Sequence, residues 1–95
     1  MTFRYGEKIK KVIDAFDPQG LNRYFLFGSA VRQEKFNDID LAVVGNESSH
    51  KDLSTLRERF YNSDIPYKTD VIDFDMADKD FKDYVFKNES VVWIA

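Results

Sequence analysis

Asn37-Asp38-Ile39-Asp40-Leu41-Ala42-Val43-Val44 is the stretch on which the fold turns. Side chains alternate along an extended chain, so Ile39, Leu41 and Val43 share one face while Asp38, Asp40 and Ala42 share the other. The stretch therefore reads as a strand carrying two carboxylates on one side. Aspartate is disfavoured in strands and the neighbours here are strongly apolar, so placing two acids there has a cost that something must offset. Set this close, the two charges repel each other unless a cation lies between them.

Working outward, Tyr24-Phe25-Leu26-Phe27 is a short aromatic and aliphatic run that ends at Gly28, which suits a buried strand better than a helix. The chain turns sharply at Gly28-Ser29. Before it, Ile9, Val12, Ile13 and Phe16 recur at i, i+3, i+4 and i+7, one apolar stripe of a helix that Pro18 and Gly20 stop. Beyond the acids, a loop at Gly45-Asn46-Glu47-Ser48 leads to a helix, with Ser49 and Asp52 spaced like a capping box and Leu53, Leu56 and Phe60 facing inward. Tyr67 to Phe74 reads as a third strand, then a short helix with Phe81, Tyr84 and Val85 inward, then a final run Val91-Val92-Trp93-Ile94. Strands alternating with helices place the chain in the α/β or α+β class.

Oxygen ligands such as Asp38 and Asp40 suit magnesium or manganese, and Mg²⁺ is commonly held by one or two carboxylates together with substrate phosphates. Gly28 lets backbone approach a ligand with no Cβ in the way, and Ser29 offers a hydroxyl and an N–H at the start of the next helical turn. Arg32 is a further, minor candidate for a phosphate. A third acid would complete the site, and Thr69-Asp70-Val71-Ile72-Asp73 offers two. Asp70 and Asp73 are three apart and lie on opposite faces, so only one can join, and the local pattern leaves both open. The single histidine, His50, reads as a surface residue beside a Ser-rich loop.

With 95 residues, 43% hydrophobic and 16% aromatic, the chain has material for one compact core, read here as a single domain over residues 1–95. So small a module has little surplus for an enclosing acceptor pocket, which points to a partner. Its 17 acidic and 14 basic residues are mixed along the chain, with no basic run to neutralise a row of phosphates, so nucleic acid is not an expected partner. There is no cysteine and no apolar stretch near the roughly 20 residues that span a bilayer, and the reading is a cytoplasmic protein without a membrane partner. No Cys/His cluster, Ser-His-Asp set or Walker-type loop is present, which argues against zinc hydrolysis, acyl transfer and P-loop chemistry.

Taken together, Leu26-Phe27-Gly28-Ser29-Ala30-Val31-Arg32, Asn37-Asp38-Ile39-Asp40-Leu41-Ala42-Val43 and Asp70-Val71-Ile72-Asp73-Phe74 resemble the minimal nucleotidyltransferases of the DNA polymerase β superfamily. The likeness is strongest to small bacterial subunits encoded beside a helical HEPN protein. It implies a polymerase β-like domain, a mixed sheet flanked by helices. It also implies that Gly28 and Ser29 grip a nucleoside triphosphate, that Asp38 and Asp40 bind two Mg²⁺ ions, and that Asp70 is the third acid. Gln33 and Asn37 stand where many members carry Gly and Ser.

The activity so implied is Mg-dependent transfer of AMP from ATP to a hydroxyl, a tyrosine of a partner HEPN toxin, with this chain as the antitoxin of a hetero-oligomeric pair. Two alternatives stand beside it. The nucleotide could go to a small molecule, an antibiotic or a sugar, held by a separate substrate-binding subunit, or the chain could neutralise its partner by occlusion alone.

Overall fold

The computed structural model describes residues 5–32, 35–45, 52–88 and 90–94. Its elements run α1 (Gly6–Phe16), β1 (Arg23–Phe27), α2 (Ser29–Arg32), β2 (Asp38–Val44), α3 (Leu53–Tyr61), β3 (Lys68–Asp73), a 3-10 turn at Phe74–Met76, α4 (Lys79–Asn88) and β4 (Val92–Trp93). The four strands form one sheet in the order β3-β2-β1-β4. β1 lies antiparallel to both β2 and β4, whereas β2 and β3 are parallel. A parallel pair needs a crossover, and α3 provides it. This is the mixed, helix-flanked α+β sheet that the resemblance implies.

The alternation in β2 decides which helices cover which face. Ile39, Leu41 and Val43 are fully buried and join Tyr24 and Leu26 of β1, Val71 of β3, Ile9 and Ile13 of α1, and Leu53, Leu56 and Phe60 of α3. On the opposite face Ala42 packs with Phe25, Phe27, Phe74 and Val85. Phe25 sits at the centre of that second cluster, with ring centroids of Phe74, Phe86 and Trp93 at 5.1, 5.6 and 4.9 Å. Along that face burial falls from Ala42 through half-buried Asp40 to exposed Asp38, so the sheet opens to solvent where the acids stand.

α1 ends where Pro18 and Gly20 were expected to end it, but the residue that locks the turn is Asp17. Its buried carboxylate accepts from the N–H groups of Leu21 and Asn22 and from the Tyr24 hydroxyl, each at 2.9 Å. Burial alone would raise this carboxyl, yet those hydrogen bonds, joined by the Asn22 amide, prevail and hold it below the ordinary aspartate value. The Tyr24 hydroxyl is pushed well above its usual range by burial and by the same carboxylate. Gly20, at φ +65°, supplies the left-handed residue of the turn.

Three expectations are corrected. α3 is capped by Asp52, whose carboxylate accepts from the Thr55 N–H and hydroxyl, because the helix begins one residue after it. Ser49, the other half of the expected capping box, lies outside the described residues with Gln33, His50 and the 46–48 loop. Tyr84 faces solvent at 53% exposure, since it lies about 100° round α4 from Val85, which is the residue the sheet covers. The third strand stops at Asp73, and Phe74 enters the 3-10 turn instead.

Candidate active site

Gly28 ends β1 at φ +82°, a conformation that favours glycine, and delivers the chain directly into α2. The N–H groups of Val31 and Arg32 both bond back to the Gly28 carbonyl, at 3.1 and 3.3 Å. Close approach is the second demand on this position. A Cβ here would run into Asp40 Oδ2 and stand 3.3 Å from its Cγ. The absence of a side chain at residue 28 is thus what allows the Asp40 carboxylate to lie against the turn. Half-buried Ser29 opens α2, and Arg32, expected in a loop, is its exposed last residue.

Strand register brings the acids together. Phe27 of β1 lies opposite Asp40, Asp40 lies opposite Asp70, and Asp38 lies opposite Lys68. Opposed residues of paired strands project to the same face, so Asp38, Asp40 and Asp70 share one face, near Gly28. Asp73 lies opposite Val43, on the buried-core parity, and its carboxylate accepts from the Asp75 N–H at 3.2 Å to cap the 3-10 turn. It is occupied elsewhere. Asp75 in turn accepts from the Gly45 N–H at 2.7 Å, which ties that turn to the end of β2.

Lys68 is the residue that motif reading passed over. It sits two before Asp70, on the same face, and its ammonium lies 3.5 Å from Asp70 Oδ1. The parity rule that joined Asp38 to Asp40 would have found it. A second missed feature is a cleft of about 1030 Å³ that runs from Asp40 and Asp70 round the outer edge of β3 to Arg57 and Tyr61, past Tyr67. Arg57 donates to the Val71 carbonyl at 2.9 Å on that edge. Tyr67 stacks against Phe36, with ring centroids 4.5 Å apart. These contacts come from segments remote in sequence, so no local pattern announces them.

Hard carboxylate oxygens on one face, beside a glycine turn that leaves backbone bare, fit a divalent ion shared with phosphate oxygens. Among the described residues no three His, Cys, Asp or Glu side chains converge tightly enough to cage an ion unaided. A site with one or two carboxylates and room for phosphate and water is the kind Mg²⁺ accepts.

A four-stranded mixed sheet with Gly-Ser at the end of its first strand and Asp-x-Asp at the start of its second defines a nucleotidyltransferase fold. The chain belongs to the polymerase beta nucleotidyltransferase family, which matches residues 7–94. A curated relative from Haemophilus influenzae, named probable protein adenylyltransferase MntA, is 33% identical over 64 residues. That match covers 64% of this chain and 56% of the relative, so the chain spans little more than half the length of the curated protein it resembles. Among the described residues no helix is long and apolar enough to cross a membrane.

Proposed function

We propose that this chain is a Mg-dependent protein adenylyltransferase that moves AMP from ATP to a hydroxyl of a partner protein, a tyrosine of a HEPN-fold toxin, and so acts as its antitoxin. The observation that carries the reading is the register of β2 and β3, which sets Asp70 opposite Asp40 on the face that Asp38 shares. Membership of the family and the activity in the name of the curated relative support it. In this reading residues 1–95 form one catalytic domain, and the complex is a cytoplasmic hetero-oligomer.

Asp38 and Asp40 would hold two Mg²⁺ ions, with Asp70 as a further ligand, and Gly28, Ser29 and Arg32 would hold the triphosphate of ATP. When bound, the ions supply positive charge for the entering and departing oxygens. Asp70 accepts the proton of the acceptor hydroxyl as its oxygen bonds to the α-phosphorus and the bond to pyrophosphate breaks. Entering and leaving oxygens stand roughly in line in such transfers. Gly28 adjoins Asp40 from β1, and the cleft leaves Asp40 on the other side, over β3. The acceptor therefore approaches across β3 while pyrophosphate departs toward Gly28-Ser29.

The test is to incubate the purified chain with Mg-ATP and its co-encoded partner and to weigh the partner by intact mass spectrometry. Gain of one AMP on a tyrosine, lost with Asp38→Asn, is the expected result. Neutralisation that survives Asp38→Asn without any adduct would leave occlusion as the function. The volume of the cleft also suits a small hydroxylated acceptor held against a second subunit. In that case label from ATP would appear on the small molecule and not on protein.

A further inference from the structure

We propose that Lys68 is the resident counter-cation of the acid face, holding the place of the divalent ion until a metal-bound nucleotide arrives, and then turning to its phosphates. This rests on the metal site proposed above. Lys68 lies opposite Asp38 by register and two residues before Asp70, so it shares the face on which Asp38, Asp40 and Asp70 stand. The ammonium stands 3.5 Å from Asp70 Oδ1, with the Lys68 side chain 75% exposed.

So exposed a pair contributes little to stability. Its surroundings give it another task. Like charges on neighbouring strands repel, and a cation among them lowers that repulsion. Two other exposed ion pairs differ in setting: Lys8 meets Asp64 at 2.9 Å and Lys10 meets Asp14 at 3.0 Å, each away from this face. Lys68 instead pairs with an acid on the face that Asp38 and Asp40 share, and its long, mostly solvated stem leaves it free to move.

Two consequences follow from one positive charge in this place. A divalent ion entering alone must displace or crowd the ammonium, so the nucleotide-free chain binds metal weakly. An ion entering with a triphosphate brings oxygens to which the ammonium can turn, so metal and nucleotide enter together. Lys68 is thus a positioning residue that sets the order of binding and discourages metal in the empty site.

Mn²⁺ alone, titrated against the full chain at low ionic strength and followed by water-proton relaxation, tests this without any turnover. Lys68→Met should bind Mn²⁺ roughly three- to tenfold tighter than the wild type, a charge effect that shrinks at high salt. Lys68→Arg, which keeps the charge, should stay close to wild type. With nucleotide present, Lys68→Met should raise KM for Mg-ATP. Mn²⁺ affinity that is unchanged or weakened in Lys68→Met overturns the inference. Asp40→Asn separates the two failures. If it weakens Mn²⁺ binding while Lys68→Met does not strengthen it, the lysine inference alone falls. If Asp40→Asn has no effect either, the ion is not on this face and the underlying reading falls too.

Discussion

Replacing Gly28 by alanine tests the link between the turn and the acid more sharply than removing the acid does. Two costs combine. Holding an alanine in left-handed backbone costs about 1–2 kcal/mol, and φ here is +82°. The new methyl also meets the Asp40 carboxylate, and overpacking of this kind costs about 1–3 kcal/mol. Gly20→Ala isolates the first cost, because Gly20 has φ +65° and nothing within 4 Å of where its Cβ would lie. Gly20→Ala should therefore cost about 1–2 kcal/mol and Gly28→Ala about 2–5 kcal/mol, read as urea midpoints at unchanged slope. In a domain of this size each kcal/mol lowers Tm by roughly 4–8 °C. Combining Gly28→Ala with Asp40→Ala completes a double-mutant cycle, and most of the excess over Gly20→Ala should vanish. The reasoning fails if Gly28→Ala costs no more than Gly20→Ala, or if the excess persists once the Asp40 carboxylate is gone.

Asp70→Asn should abolish nucleotidyl transfer with a stability change under about 1 kcal/mol, since its ion pair is exposed. Asp73→Ala should keep transfer and lose about 0.5–2 kcal/mol with the turn cap; equal losses of activity in both variants would refute the facial assignment. Asp17→Ala should destabilise by about 3 kcal/mol in thermal melts, because it strands the buried donors of Asn22 and Tyr24 and the part-buried N–H of Leu21. The Asp17 carboxyl is held below its ordinary value of 3.8, so its contribution is complete above that pH and is lost as pH falls through the lowered native value. Asp17→Asn should accordingly flatten the acid limb of the stability curve below about pH 4, and an unchanged limb would assign acid unfolding to other groups. Leu41, fully buried, should lose about 2–5 kcal/mol on truncation to alanine, measured by urea unfolding.

The strand at residues 38–44 was legible because its period-two pattern is local and both parities are informative: buried aliphatics on one side, acids on the other. The stripes of α1 and α3 were legible for the same reason. Tyr84 misled because an aromatic beside a helical stripe looks buried until it is known how wide a strip the sheet covers. Asp17 passed unread as an acid near a helix end, since its value comes from Tyr24, seven residues on and on another element. Lys68 was hidden in plain view: its parity with Asp70 is a sequence fact, but its relation to Asp38 exists only through strand pairing.

The chain's own order of residues thus determined its elements, the pairing of Asp38 with Asp40 on one face, and, through the three motifs together, its family. Each of these follows from spacing along a strand or helix, where geometry is set by bond rotations within a few residues. Tertiary structure decided what the local pattern left open and the resemblance only implied, that Asp70 and not Asp73 shares the face of those acids, and it alone decided that a side chain at residue 28 would strike Asp40 and that Lys68 pairs with Asp70 there. Those relations depend on the register of strands joined through α3 and α2. A slip of one residue would turn every side chain to the other face, and what prevents it is the burial of Ile39, Leu41, Val43 and Val71 against α1 and α3, a sum over the whole core that no local stretch contains.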